Sequence, residues 1–192
     1  MIKDLHTLPA DLPVPADDGA CEHLLGSLIP AVSLMSTSGE RVNLSTHTNT
    51  LVVYFYPMLG RPDSPPLVGW NDIPGARGCT PQTCAFRDNY AALRQMGVKV
   101  FGVSAQPLQD QLEAHARLQL PFALLHDDEL TLTRALKLPT FEYGGLRLIK
   151  RLTIIATGGV IRKVFYPVFP PDKNAGEVIA WLQKNSEKNQ ET

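Results

Sequence analysis

"PGARGCTPQTCAFRD", residues 74–88, sets two of the chain's three cysteines five positions apart, Cys79 in a glycine-rich loop and Cys84 inside an amphipathic pattern. Thr80 and Pro81 form a cap and first-turn pair, and Phe86, Tyr90 and Leu93 recur at four- and three-residue spacing before Gly97. The spacing predicts one helix of about four turns. Cys79 then stands just before or at the first turn, where unpaired N–H groups and the helix dipole stabilise an anion. A thiolate is such an anion, and it is the nucleophilic form of cysteine.

Five residues on an intact helix amount to about 7.5 Å of rise and roughly 140° of rotation, which leaves the two Cα atoms about 8–9 Å apart. A disulfide requires about 7 Å or less. Cys79 and Cys84 therefore bond only if the first turns unwind. From pattern alone Cys84 has two readings, a small apolar core residue or a redox partner. Cys79, in a loop of Gly, Pro and Arg, is poorly explained by core packing. A metal site is weaker still, because one Cys-x4-Cys, a distant Cys21 and five scattered histidines do not supply four close ligands. No metal is expected.

Outward from this stretch, "TLVVYFYP" (50–57) is a continuous apolar run fit for a central strand, and Pro57 ends it. "AVSLMSTSGERVNL" (31–44) alternates around Ser38-Gly39 and reads as a hairpin. Between Pro57 and Cys79 lies a loop, residues 58–78, too long to be a mere connection. Trp70 within it reads as a lid or partner contact, or as an anchor of the loop on the domain. Beyond Gly97, "VKVFGVS" and "FALLH" read as strands, and "PLQDQLEAHARLQ" and "DDELTLTRALKL" as helices, the second with acids in its first turn. "RLIKRLTIIAT" and "VIRKVFYP" make a hairpin about Thr157-Gly158-Gly159, and Ala175, Val178, Ile179 and Leu182 mark a closing helix. The expected fold class is α/β, a central mixed β-sheet flanked by helices.

At 192 residues and 44% hydrophobic composition the chain has enough material for one core. We expect an irregular N-terminal arm over 1–23, one domain over 24–185 and a disordered tail over 186–192. Net charge is −1 and no run of Lys or Arg follows a phosphate backbone, so nucleic acid is not an expected partner. Acids and prolines interrupt the first twenty residues, and no stretch of about 20 apolar residues occurs. The expectation is a cytoplasmic protein with no membrane partner. In a reducing compartment a close cysteine pair reads as redox-catalytic or metal-binding. His126 is expected to begin a helix at a strand end, His115 to be solvated, and Cys21 to be a bystander in the arm.

"VVYFYP", "GCTPQTCAFRDNYAAL", "VKVFGVSAQ", "LPFALLHD" and "KRLTIIATGGVIRKVFY" follow one another in the order of a peroxiredoxin. The chain resembles the Q type, also called bacterioferritin comigratory protein, over roughly residues 24–185. The resemblance implies a thioredoxin-like fold and reduction of hydrogen peroxide or organic hydroperoxides without metal or organic cofactor. It implies that Cys79 is the peroxidatic cysteine and Cys84 the resolving one. Their intramolecular disulfide would be reduced by thioredoxin or a similar dithiol, in a monomer or a homodimer. Arg151 matches the active-site arginine, on a strand beside the sulfur. Gln82 stands where it can hold that arginine, Pro57 matches the shielding proline, and Thr80 follows the cysteine.

Two departures stand out. Pro57 and Cys79 lie much further apart than in the family, so the 58–78 loop carries an insertion. Ala76 replaces the family's Thr or Ser, whose hydroxyl hydrogen-bonds peroxide, and such a loss costs about 10²- to 10³-fold in rate if nothing replaces it. The substitutes in reach are Thr80, a backbone N–H of Gly78 or Cys79, Asp72 and Trp70. Two alternatives stand beside this: a thiol–disulfide oxidoreductase on the same fold, against which the cysteine spacing argues, and a redox sensor or binding protein with a weakened site, which Ala76 and the long loop favour.

Overall fold

The computed structural model describes residues 5–64 and 67–188. Its chain order is β1 (Ser33–Ser36), β2 (Arg41–Asn43), β3 (Thr50–Phe55), α1 (Cys79–Asp88), α2 (Tyr90–Gln95), β4 (Lys99–Ser104), α3 (Leu108–Arg117) and β5 (Leu124–His126). There follow α4 (Thr131–Ala135), β6 (Thr140–Tyr143), β7 (Leu146–Ile149), β8 (Leu152–Thr157), β9 (Val160–Phe165) and α5 (Asn174–Lys188). Seven strands form one sheet in the order β2-β1-β5-β4-β3-β8-β9. β3 runs parallel to β4, and β4 to β5, while β1, β8 and β9 pair antiparallel with their neighbours. The sheet is mixed and carries apolar layers on both faces, the thioredoxin-like arrangement.

β3 organises those layers. Side chains alternate across a strand, so Leu51, Val53 and Phe55 enter one core with Leu24, Leu132 and Ile149. Val52, Tyr54 and Tyr56 enter the other with Phe86, Ala114 and Val178. Both faces are dry, which is why this run reads as unbroken hydrophobicity. The Tyr54 ring stacks on Phe86 of α1, centroids 4.6 Å apart, and its hydroxyl donates to Thr83. Room for that ring comes from Gly102 on β4, where a Cβ would lie 2.6 Å from it. Thus α1 is seated on β3 with its first residue over the strand's carboxyl end.

Several expectations change. The single helix expected from Thr80 is two, because Asn89 leaves helical geometry (φ −98°, ψ 4°) and its side-chain amide donates to the Ala85 carbonyl. The helix after β5 is five residues long and starts after Leu130, and the expected acids precede it. The Asp127 carboxylate accepts from the N–H groups of Leu132 and Thr133. His126 ends β5 and begins no helix. "RLIKRLTIIAT" is not one strand. β7 leaves the main sheet to pair with β6 in a two-stranded hairpin about Gly144-Gly145, and the chain rejoins at β8 after Lys150-Arg151.

The arm is laid against the domain. Cys21 is 4% exposed in the first core, and Asp18 accepts from Lys150 Nζ and Tyr166 Oη, both at 2.8 Å. The inserted loop makes one turn of 3-10 helix, Trp70–Asp72. Trp70 is buried between that loop and the β6–β7 hairpin, 5.0 Å from the Tyr143 ring and 6.1 Å from Phe141. It anchors the insert. α5 continues to Lys188, past the domain boundary expected at 185, and residues 189–192 lie outside the described residues.

Candidate active site

α1 begins at Cys79, one residue before the expected cap, because Gly78 takes the left-handed conformation (φ 109°) that turns the loop into the helix. A side chain could not stand there, since a Cβ would come 2.3 Å from Pro171. The Gly78 carbonyl accepts from Gln82 N–H, closing the first turn. Cys79 is 3% exposed and its Sγ lies 3.6 Å from the Ala76 carbonyl, a weak thiol donation.

Arg151 meets that sulfur. It occupies the two-residue break between β7 and β8, not a strand, and is 3% exposed. Its Nη2 donates to Cys79 Sγ at 3.2 Å and to the Ala76 and Arg77 carbonyls at 3.0 and 3.3 Å. Nε donates to the Gly75 carbonyl at 3.2 Å and Nη1 to Gln82 Oε1 at 2.6 Å. Every one of these acceptors except sulfur is a neutral carbonyl or amide. A buried guanidinium so held presents an N–H donor and its charge to the sulfur.

Gln82 continues the network. Its Nε2 donates to Asn174 Oδ1 at 3.1 Å, and the same oxygen accepts from Thr153 Oγ1 at 2.7 Å. All three side chains are fully buried. Asn174, the first residue of α5, and Thr153, on β8, were not singled out from sequence. A polar residue after "PPDK" at a helix start is an ordinary cap signal, and nothing local marks it as facing α1. The carboxyl end of β3 is fixed similarly, since Ser104 donates to the Pro57 carbonyl and Gln106 pairs with both backbone groups of Leu59. Pro57 is buried but does not line the cavity at Cys79; Met58 and Gly60 do.

That cavity measures about 20 Å³ and is bounded by Leu5, Met58, Leu67, Trp70, Thr80 and the Cys79 loop. Of the four groups that could replace the hydroxyl missing at Ala76, Thr80, Trp70 and the Gly78–Cys79 backbone line it. Asp72 is exposed and does not.

Cys84 is 8% exposed on the same unbroken α1, and all three cysteines are free. Its Sγ is 3.8 Å from His6 Nδ1 of the arm. Burial pushes the Cys84 thiol up from its ordinary range, while Arg87 acts in the opposite sense. Burial also pushes the Cys21 thiol up to about 12, with Asp18 adding to it. Among the described residues no cluster of three or more His, Cys, Asp or Glu could hold a metal ion, and no helix is long and apolar enough to cross a membrane.

The redoxin family model matches residues 24–179. A chloroplastic peroxiredoxin Q of Suaeda salsa is 31% identical over 159 residues, 82% of this chain and 67% of that one. The solved structure of the peroxidoxin BcpB from Mycobacterium tuberculosis superposes with a TM-score of 0.68 at 22% identity, covering 83% of this chain and 96% of that one. The bacterioferritin comigratory protein of Xanthomonas campestris gives 0.64 at 22% identity, covering 91% and 99%. Both structures share the fold.

Proposed function

Because this chain belongs to the Q-type peroxiredoxins of the redoxin family, we propose that it is a thiol-dependent peroxidase in which Cys79 reduces hydrogen peroxide or an organic hydroperoxide and Cys84 resolves the product. The observation that carries this assignment is the 3.2 Å contact of Arg151 Nη2 with Cys79 Sγ at the start of α1.

The Cys79 thiolate attacks the terminal oxygen of ROOH. An S–O bond forms as the O–O bond breaks, and the leaving RO⁻ takes a proton and departs as water or alcohol. Arg151 serves both ends of this step, holding the sulfur anion beforehand and donating to the oxygens as charge moves onto them. Gln82 and Asn174 keep the guanidinium aimed. The Cys84 thiol, deprotonated, then attacks the sulfenic sulfur. An S–S bond forms, hydroxide leaves as water, and a dithiol protein such as thioredoxin reduces the disulfide by exchange. Unwinding of α1 precedes that closure, because an intact helix holds the two Cα atoms about 8–9 Å apart.

A second reading, a redox switch with weak peroxidase activity, is favoured by one observation: position 76 is Ala and offers no hydroxyl to the peroxide. One experiment separates the two. Stopped-flow oxidation by hydrogen peroxide is measured in wild type, Cys79→Ser and Cys84→Ser, with disulfides mapped by mass spectrometry. Oxidation far faster than a free thiol, abolished in Cys79→Ser and trapped as a sulfenic acid in Cys84→Ser, supports the two-cysteine cycle. Oxidation no faster than free cysteine refutes it.

A further inference from the structure

Four consecutive residues of the N-terminal arm touch the inserted loop and α1. Leu5, only 4% exposed, forms one wall of the cavity at Cys79. Its Cδ2 presses on Gly60 of the inserted loop, 2.7 Å from where a Cβ would stand. His6 lies against Cys84, the Thr7 carbonyl accepts from Arg77 Nη2 at 3.2 Å, and Leu8 packs on Gly78, 2.9 Å from the Cβ position. Arm and insert thus close over the sulfur together.

What remains at Cys79 is about 20 Å³. A cavity of about 10–15 Å³ holds one water, whereas a cavity of about 150 Å³ takes a benzene-sized group. Hydrogen peroxide, two oxygens, is close to the first size. A hydroperoxide with an aryl or branched alkyl tail is close to the second, and the remaining walls, Trp70, Leu67 and Met58, belong to a packed cluster that yields less readily than one side chain of the arm.

We infer that Leu5 is a specificity-determining residue: seated over Cys79 against Gly60, it admits hydrogen peroxide and excludes hydroperoxides with a bulky organic tail. This rests on the peroxidase assignment. The exclusion is steric and has two handles, shortening Leu5 or pushing it away by adding a Cβ at Gly60. The second is open because Gly60 is not among the glycines with positive φ.

The test is stopped-flow oxidation of full-length wild type, Leu5→Ala, Leu5→Met and Gly60→Ala by hydrogen peroxide and by cumene hydroperoxide, read as the ratio of the two second-order rate constants. Leu5→Ala is expected to raise the cumene-to-hydrogen-peroxide ratio by about tenfold, Gly60→Ala to raise it in the same direction, and Leu5→Met to return it toward wild type. Loss of folded protein lowers the amplitude of the fast phase and leaves the ratio of its rate constants, so instability does not imitate the effect. Fast oxidation by hydrogen peroxide with a ratio unchanged in Leu5→Ala overturns the inference alone. Slow oxidation of wild type by both peroxides that no variant accelerates overturns the peroxidase assignment, and this inference with it.

Discussion

Arg151 Nη2 stands 3.2 Å from Cys79 Sγ although 72 positions separate the two residues, and the same guanidinium binds three carbonyls of the loop that ends at that cysteine. One side chain therefore shapes the loop and faces the sulfur. Arg151→Lys keeps a charge but cannot reproduce a fork with four oxygen acceptors. Cys79 oxidation by hydrogen peroxide is expected to slow about 10²- to 10³-fold. A stopped-flow rate within a few-fold of wild type would remove Arg151 from the chemistry.

Asn174 acts at one remove. Asn174→Leu leaves Gln82 Nε2 and the Thr153 hydroxyl buried without their acceptor, at about 1–3 kcal/mol each. The urea midpoint should fall, and oxidation of Cys79 should slow by less than in Arg151→Lys. Asn174→Asp restores an acceptor and should recover part of the rate. If it recovers none while folding normally, the network does not position Arg151.

Closure of a Cys79–Cys84 disulfide demands that α1 open. Amide hydrogen exchange within residues 79–88 is expected to accelerate strongly on oxidation by stoichiometric peroxide and to recover on reduction, while β3 and β4 stay protected. Unchanged exchange in α1 with the bond confirmed by mass spectrometry would mean that the helix bends rather than unwinds.

Trp70 holds the insert through Phe141, Tyr143 and Leu148. Trp70→Ala should cost about 3–5 kcal/mol, read as a lower urea midpoint. It should also expose the 58–78 loop to limited proteolysis. A loop that remains resistant would place its anchorage elsewhere.

The Cys21 thiol gives a pH test. Its value is about 12 when folded, raised by burial, against about 8.5 unfolded. A raised acid keeps its proton longer in the folded state, so its contribution to stability is whole below about pH 8.5 and is lost as pH climbs toward 12. Urea midpoints measured between about pH 8 and about pH 10.5 should fall more steeply in wild type than in Cys21→Ala. Parallel slopes would show that the thiol titrates no differently in the two states.

Local patterns were legible in sequence because they are local. The unbroken run Leu51–Phe55 announced a strand buried on both faces, Ser38-Gly39 and Gly158-Gly159 announced hairpins, and the Gly-Cys-Thr motif placed a cysteine at a helix start. The helix break at Asn89 was not legible, since one side-chain bond to Ala85 decided it within a continuous amphipathic pattern. Nor was the β6–β7 hairpin, because short strands that leave the main sheet carry little periodicity of their own.

The amino-acid sequence by itself determined the α/β class, the order of the main-sheet strands along the chain and the cysteine pair with its spacing, since propensity, periodicity and turn chemistry act over a few residues. Only the tertiary structure decided that the chain steps out of the sheet at Lys150-Arg151 to aim a guanidinium at Cys79, that Asn174 holds Gln82 from another helix, and that Leu5 walls the sulfur off. Those relations join segments far apart in the chain, and packing, not local preference, sets which distant segments meet.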